Sequence, residues 1–387
     1  MRIGACIGFS ALTALIFAVC FGSTFAIDAA VVCFVLFVCT LITEKVPYRM
    51  KIPSDKREGI QTGLRAFTLC LFSAFAALLS FWAVQNFYTE PIIENFADKT
   101  LEFSGQVVSS PVSENGTTSF TVKTNEIDGE KVTLKITVYT NLVKPLDCYD
   151  NVTVCGDVYS NYAVGFGYQS YCGARGIFLN AYVNQYYDGW YTVQHCQKKP
   201  WYSVFSFARE CAARCLEKYL SFDLAKVCSS IITGEKTALP DEIYNRFKVL
   251  GTAHMLVVSG LHLSIAAGVL AVFAEKLIKN KRMSALIQIV GVLSFAALTG
   301  FGFSVTRSCV MVIIMILARS TGSKSDGLNS LGVSSAVLCL NPLGVGDIGL
   351  LWSISSTLSI ILFSGKISNY LNGKLKLRHK FTKGIVS

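Results

Sequence analysis

Charge is what this sequence has least of. Asp, Glu, Lys and Arg make up 16% of its 387 residues, where a soluble domain carries about 25%. Histidine occurs only four times and no G-x-S-x-G elbow is present, which argues against an α/β-hydrolase nucleophile. Cysteine is not scarce, with fourteen residues, yet most, such as Cys6, Cys20, Cys33, Cys39, Cys70, Cys309 and Cys339, sit in apolar runs as small hydrophobes. Four fall in a polar stretch: Cys148, Cys155, Cys172 and Cys196. They form no C-x-x-C pair, which argues against a zinc ribbon. Either they make one or two disulfides of open pairing in an oxidising compartment, or they stay buried thiols. No metal, cofactor or catalytic residue is assigned, and no enzymatic activity is expected.

Apolar residues take the place of charge. They make up 52% of the chain, and its mean hydropathy is +0.48. Apolar runs recur at 4–21, 26–42, 66–85, 255–273, 285–303, 305–319, 328–341 and 347–364, near the ~20 residues that cross a ~30 Å hydrocarbon core as a helix. They predict a polytopic α-helical membrane protein. The first run has no A-x-A-like site and is followed at once by another, so it reads as an anchor and not a cleaved signal peptide. Lys and Arg gather in the loops 44–65 and 275–283 and in the tail from Lys366. With all three on the cytoplasmic side, the spans alternate without conflict and residues 100–200 lie outside the cell. Those residues hold seven Lys and Arg against nine Asp and Glu. The net charge of +10 is therefore a topology signal and not a nucleic-acid footprint.

Within 100–200 the pattern changes to strand-like alternation. Runs 119–124, 132–140, 152–159, 177–184 and 190–195 are rich in Val, Thr, Ile and Tyr, with Asn115-Gly116 and Asp128-Gly129 as hairpin turns. The chain thus divides into 1–99, N-terminal spans with a basic cytoplasmic loop; 100–200, a small extracellular β-barrel of OB-like type; and 201–387, a second membrane domain opening with an amphipathic helix over 201–220. That helix could lie in the membrane interface or pack on the barrel. Rings at Tyr159, Tyr162, Phe166, Tyr168, Tyr171, Tyr186, Tyr187 and Tyr191 could stack bases, but few Lys or Arg accompany them, and core packing explains them equally well.

Two places in the membrane runs carry costly polar groups. His254, Ser259 and His262 share one apolar stretch; at roughly 100° per residue an ideal helix would let all three border one cavity. Gly260 could instead break that helix and open a re-entrant turn, or the polar groups could simply bond neighbouring helices. Ser259 and His262 can meet at i, i+3, but no adjoining carboxylate would orient the imidazole for hydrolysis. Arg307, near the start of the run 305–319, could snorkel to water or meet a phosphate at a channel mouth. Asp347 is expected in an outer turn with Pro342, Gly344 and Gly346.

At these residues the sequence resembles the ComEC-type competence protein family. The family motif aG-x-x-HLLxxSGLHv reads here as Leu250-Gly251-Thr252-Ala253-His254-Met255-Leu256-Val257-Val258-Ser259-Gly260-Leu261-His262-Leu263. An apolar helix ending in a Gly-acid turn is similar to Ile231-Ile232-Thr233-Gly234-Glu235, and TGF-x-x-S-x-x-R is similar to Thr299-Gly300-Phe301-Gly302-Phe303-Ser304-Val305-Thr306-Arg307. Tyr171-Cys172-Gly173-Ala174-Arg175-Gly176-Ile177 resembles the family's Y-L-x-x-x-G-I stretch.

The resemblance implies inward passage of single-stranded DNA through a channel in the bacterial cytoplasmic membrane, with an OB-like outer domain. His254, Ser259, Gly260, His262 and Arg307 become channel candidates. Gly234, Glu235, Gly251, Thr299, Gly300, Ser304, Arg175 and Gly176 become motif positions with structural roles. Implied partners are single-stranded DNA, the lipid bilayer, other competence proteins, a separate nuclease or second channel half, and further copies of the chain. Two departures stand out: no H-x-H-x-D-H metal motif of the family's C-terminal nuclease-like domain is present, and the G-F-Q-L-S-F element is degraded to Gly349-Leu350-Leu351-Trp352-Ser353-Ile354. The alternatives are a membrane-anchored binding module without transport, or an inactive truncated remnant.

Overall fold

The computed structural model describes residues 2–43, 54–114, 116–142, 146–161, 166–183, 190–195, 203–234, 239, 241–252, 256 and 258–375. The chain is mostly helical. Its backbone divides into two compact units, one formed by residues 1–81, 271–289 and 306–387, the other by 82–270 and 290–305.

The second unit contains a closed β-barrel. Its strands are β1 (Lys99–Val107), β2 (Val112–Glu114), β3 (Thr117–Ile127), β4 (Lys135–Thr140), β5 (Asn151–Ser160), β6 (Ile177–Val183) and β7 (Trp190–Gln194). The order β1-β3-β4-β6-β5 closes on itself through β1–β5, with β7 added outside β5 and β2 outside β3. All pairings are antiparallel except β4–β6. Alternation drives the closure: Phe103, Val107, Phe120, Val122, Ile136, Val138, Val154, Val158 and Ala181 are each at most 2% exposed, one face of every barrel strand turned inward. Two glycines allow the strands to cross closely. A Cβ on Gly105 would collide with the Lys123 carbonyl, and one on Gly156 would stand 2.7 Å from the Tyr182 oxygen. Asp128 and Gly129 both adopt positive φ (47° and 84°), and Ile127 and Glu130 exchange hydrogen bonds at 2.9 Å, a two-residue hairpin turn. Asn115 of the other expected turn lies outside the described residues.

The rest of this unit is helical. Residues 85–89 form a π-helical turn leading into α3 (Glu90–Phe96), and the Tyr88 ring meets Phe178 of β6 edge-on. A helix not foreseen from sequence, α4 (Phe166–Ala174), lies between β5 and β6. Then come α5 (Ser203–Tyr219), α6 (Phe222–Thr233) and α7 (Asp241–Val249), the last also unforeseen. No residue of α5 is buried, and Val204 and Phe207 stand exposed on it. Of the two alternatives, disulfides or buried thiols, the described residues show no disulfide at Cys155 or Cys172, whose thiols are free. Cys155 sits in mid-strand between Glu102 and Trp190, whereas Cys172 is buried on α4, where burial pushes its thiol pKa up. Cys196 lies outside the described residues.

The apolar helices are α1 (Ile3–Thr43), α2 (Ser54–Val84), α8 (Gly260–Leu277), α9 (Lys281–Leu298), α10 (Phe303–Ser320), α11 (Gly327–Leu338) and α12 (Ile348–Leu375). Among the described residues, six helical segments are long and apolar enough to cross a membrane, and α11 is a shorter apolar helix. Gly22 (φ 89°) breaks α1 in two, at the gap between the first two apolar runs. In the first unit α1 packs on α11: a Cβ on Gly8 would overlap the Gly332 carbonyl, and Gly4 donates its N–H to Asn329 Oδ1 at 2.8 Å. Arg2 pairs with Asp326 at 2.6 Å, and Asp326 caps α11. Asp347 follows a 3-10 turn over Pro342–Gly346 and is 8% exposed.

Candidate functional site

In the second unit three stretches separated in sequence meet. Gly234 ends α6 in the left-handed conformation (φ 76°, ψ 4°), its N–H bonded to the Ser230 carbonyl, as glycine at a helix C-terminus does. A Cβ there would meet Val258 Cγ2 at 3.2 Å and the Thr299 carbonyl oxygen at 3.7 Å. Ser230, fully buried, donates its hydroxyl to the Leu256 carbonyl at 3.4 Å. The end of α6, Leu256 and Val258 ahead of α8, and the end of α9 therefore share one tight junction. Glu235, the acidic partner of Gly234 in the sequence, lies outside the described residues.

Of the arrangements considered for 254–262, one continuous helix is not the one formed. Helix α8 starts only at Gly260. Ser259 precedes it, and the Ser259 backbone N–H donates to His262 Nδ1 at 3.1 Å, with the Ser259 hydroxyl also 3.1 Å from that nitrogen. This is the geometry of a capping box, in which the third helical residue turns back to the residue ahead of the helix. Because Nδ1 accepts from a backbone N–H, the ring proton of the neutral imidazole resides on Nε2. Gly260 is thus a helix start and not a break within one. His254 lies outside the described residues.

Two further motif glycines close helices. After α9, the Phe301 N–H bonds the Ala296 carbonyl (2.9 Å) and the Gly300 N–H the Ala297 carbonyl (3.2 Å), with Gly300 at φ 78°. After α7, Thr252 bonds Phe247 (2.9 Å) and Gly251 bonds Lys248 (3.0 Å), with Gly251 at φ 70°. Both are Schellman pairs, for which a residue free of Cβ is needed at the left-handed position. The Thr299 hydroxyl returns to the carbonyls of Phe295 and Ala296. Ser304 follows in the first turn of α10.

In the first unit Arg307 does not snorkel. It is 6% exposed and bridges α10 to α12: Nε donates to Ser353 Oγ at 3.0 Å, Nη1 to Thr357 Oγ1 at 2.6 Å and Nη2 to Ser308 Oγ at 3.0 Å. Met311 Sδ stands 3.5 Å from Nη1. Among the described residues no carboxylate pairs with it. A buried cation held by neutral acceptors is costly, and four of its five N–H donors are taken, which leaves little for the phosphate contact considered from sequence. Ser353 and Thr357 were not singled out as its partners from sequence, where they sit among Ser355, Ser356 and Ser359 on α12.

On the barrel the rings divide. Tyr191 is core, 1% exposed, its hydroxyl donating to the Leu142 carbonyl at 2.9 Å. Tyr168 shares a 2.8 Å hydrogen bond with Tyr139, and burial pushes its pKa up. Tyr139 stacks on Tyr182 (5.2 Å, 17°), and Tyr159 meets Tyr182 at 5.8 Å, a ladder across β4, β6 and β5 whose outer rings, Tyr159 and Tyr182, are exposed. Tyr162, Tyr186 and Tyr187 lie outside the described residues. Arg175 folds over the Tyr171 ring at 3.6 Å, and Gly176 (φ 71°) turns the chain from α4 into β6. A cleft nearby is lined by Ser109, Ser110, Thr121, Thr137, Arg175 and Arg209; the Arg209 Nε is buried in it without a hydrogen-bond partner.

A model of the protein family described as Competence protein matches residues 231–385, a stretch that holds the junction residues and Arg307. The chain is similar to the Competence protein ComA of Neisseria gonorrhoeae, 27% identical over 159 residues, covering 38% of this chain and 23% of that one. It is also similar to ComE operon protein 3 of Bacillus subtilis (strain 168), 24% identical over 143 residues, covering 37% of this chain and 18% of that one. The match thus spans less than a quarter of either relative. No solved structure matches the chain.

Proposed function

We propose that this chain, whose residues 231–385 match the competence protein family, takes part in DNA uptake during natural transformation, as a multi-pass component of the channel for single-stranded DNA in the bacterial cytoplasmic membrane. The observation that carries this reading is the junction of Gly234, Val258 and Thr299. Segments separated by tens of residues in sequence meet there at Gly234, the Val258 side chain and the Thr299 carbonyl, with the buried Ser230 hydroxyl on the Leu256 carbonyl, all beside the starts or ends of helices. DNA can cross a bilayer only along a wet, polar-lined path, and non-helical backbone at membrane depth is stable only where it lines such a path or is buried in protein. The chain's own contribution is to hold and guide the strand; no bond-making step is assigned to it.

Support for the membrane placement comes from the six long apolar helices and from the three basic loops, whose assignment to the cytoplasmic side is consistent with a barrel outside the cell. The barrel's strand order, with its one parallel pair β4–β6, is in keeping with an OB-like barrel. The division into 1–99, 100–200 and 201–387 belongs to the same proposal, as do single-stranded DNA, other competence proteins, a separate nuclease or channel half, and further copies of the chain as partners.

One observation favours a second reading, a membrane-anchored binding module. The Tyr139–Tyr182–Tyr159 ladder offers ring faces to bases, and the unpartnered Arg209 Nε faces a hydroxyl-lined cleft. A deletion strain complemented with wild type, Gly234→Val or Tyr182→Ala separates the two. Entry of labelled DNA into a nuclease-protected state is measured beside DNA held at the surface. Channel function predicts that Gly234→Val abolishes entry at normal protein level while surface DNA persists. Loss of surface DNA in Tyr182→Ala, with entry through the Gly234→Val chain intact, selects the binding module. A deletion strain that transforms like its parent rules out both.

A further inference from the structure

At one end of the first unit, the C-terminal end of α8, the start of α9 and the end of α10 enclose a half-open cavity of about 390 Å³. Its rim carries Lys279, Lys281 and Arg319, and its one carboxylate is Glu275. None of the three cations has an ion-pair or hydrogen-bond partner among the described residues. The floor is polar and buried: Ser284 is 4% exposed, Gln288 is 7% exposed, and Gln288 Nε2 donates to Ser284 Oγ at 3.1 Å. Ala285 and Ile316 supply an apolar wall. Around it the helices turn bare hydrocarbon outward, with Leu277, Met283, Leu286 and Ile287 all exposed.

We infer that this cavity is a binding site for the headgroup of an anionic phospholipid. The inference rests on the reading that the apolar helices lie in a bilayer. Three cations against the single carboxylate of Glu275, around a polar floor, suit a phosphodiester, whose oxygens can take charge-assisted hydrogen bonds from Lys and Arg. The serine and glutamine below can reach glycerol or headgroup hydroxyls. The exposed aliphatic side chains on the adjoining helix faces suit the acyl chains of the same molecule, which a free anion would leave uncovered. Basic pockets between membrane helices on the cytoplasmic side hold anionic headgroups in this way, and the loop 275–283 is one of the three basic loops assigned to that side. A lipid seated here would tie α8, α9 and α10 together at one end.

The test uses the full chain in nanodiscs of phosphatidylcholine alone or with added phosphatidylglycerol or cardiolipin, read by thermal unfolding and by retained lipid in native mass spectrometry. Wild type should unfold at higher temperature and keep anionic lipid. Each cation near a membrane surface changes anionic-lipid affinity roughly fivefold, so Lys279→Gln, Lys281→Gln and Arg319→Gln together should lower it on the order of a hundredfold. Ala285→Leu, which keeps every charge but narrows the cavity, should also lose the bound lipid. A control chain with Lys45→Gln, Arg49→Gln and Lys51→Gln should keep it. Equal loss in that control, an unchanged response in Ala285→Leu, or the same stabilisation by inorganic phosphate overturns the lipid site. Recovery of the wild-type chain in the soluble fraction would overturn the bilayer reading as well, whereas membrane recovery without lipid retention overturns the site alone.

Discussion

Ser259 donates its backbone N–H to Nδ1 of His262 at 3.1 Å, so that an imidazole three residues on closes the entrance to α8. The pairing gives His262 a structural role that Gln can also fill, since Gln is a standard residue at this position of a capping box. His262→Ala should destabilise the chain by about 1 kcal/mol; His262→Gln should not. If the imidazole serves only as a cap, His262→Gln transforms like wild type; if Nε2–H acts in the channel, both variants lose transformation. The channel reading predicts the second result, with equal protein levels by immunoblot.

Arg307 and Thr357 meet at 2.6 Å in a cage that holds a cation without an anion. Thr357→Val leaves a charged donor short of one acceptor and should cost about 1–2 kcal/mol in unfolding measurements. Arg307→Met removes the charge and should change stability by no more than about 1 kcal/mol, because replacing a buried charge with an apolar side chain of similar volume is often neutral. Loss of transformation in that stable variant would show that the charge is retained for function. Wild-type transformation in Arg307→Met would reduce the cage to a packing feature.

Gly8 faces Gly332 so closely that no Cβ fits between them. Small residues let apolar helices approach to backbone contact. Gly8→Leu should therefore separate α1 from α11, with a loss of roughly 1–3 kcal/mol and a lowered unfolding temperature. Ala14→Leu, on α1 away from α11, should leave it near wild type.

Asp326 sits ahead of α11, paired with Arg2 at 2.6 Å. Partial burial works to raise its carboxyl pKa, but hydrogen bonds from Arg2 and from the Asn329 and Leu328 N–H groups prevail and hold it below the ordinary range. A depressed folded-state pKa stabilises at pH above the unfolded value of about 3.9 and ceases to do so as pH falls through the folded value. Asp326→Asn should accordingly be less stable than wild type at neutral pH, and the difference should shrink below about pH 4. A constant difference across that window would remove the linkage.

Much of the barrel was legible locally. The strand-like runs at β3, β4, β5, β6 and β7 and the Asp128-Gly129 turn depend on local residue preference and on φ, both written into neighbouring residues. Helices α4 and α7 were not. Phe166–Ala174 is short and aromatic, so its rings could be read from sequence either as stacking bases or as core packing, and the fold turns Tyr168 inward. The span reading of 255–273 also began too early, because hydropathy does not register a cap: Val257 and Val258 are as apolar as the helix they precede.

By itself the amino-acid sequence determined the apolar helices, the inserted β segment, the basic loops and the family motif, because each is a property of consecutive residues. Only the tertiary structure decided what the motif residues do. Gly234 needs a left-handed cap and also space beside Thr299, a residue far along the chain. Arg307 is buried because Ser353 and Thr357, two helices further on, supply its acceptors. Such roles depend on distances between residues far apart in sequence, which no local periodicity encodes.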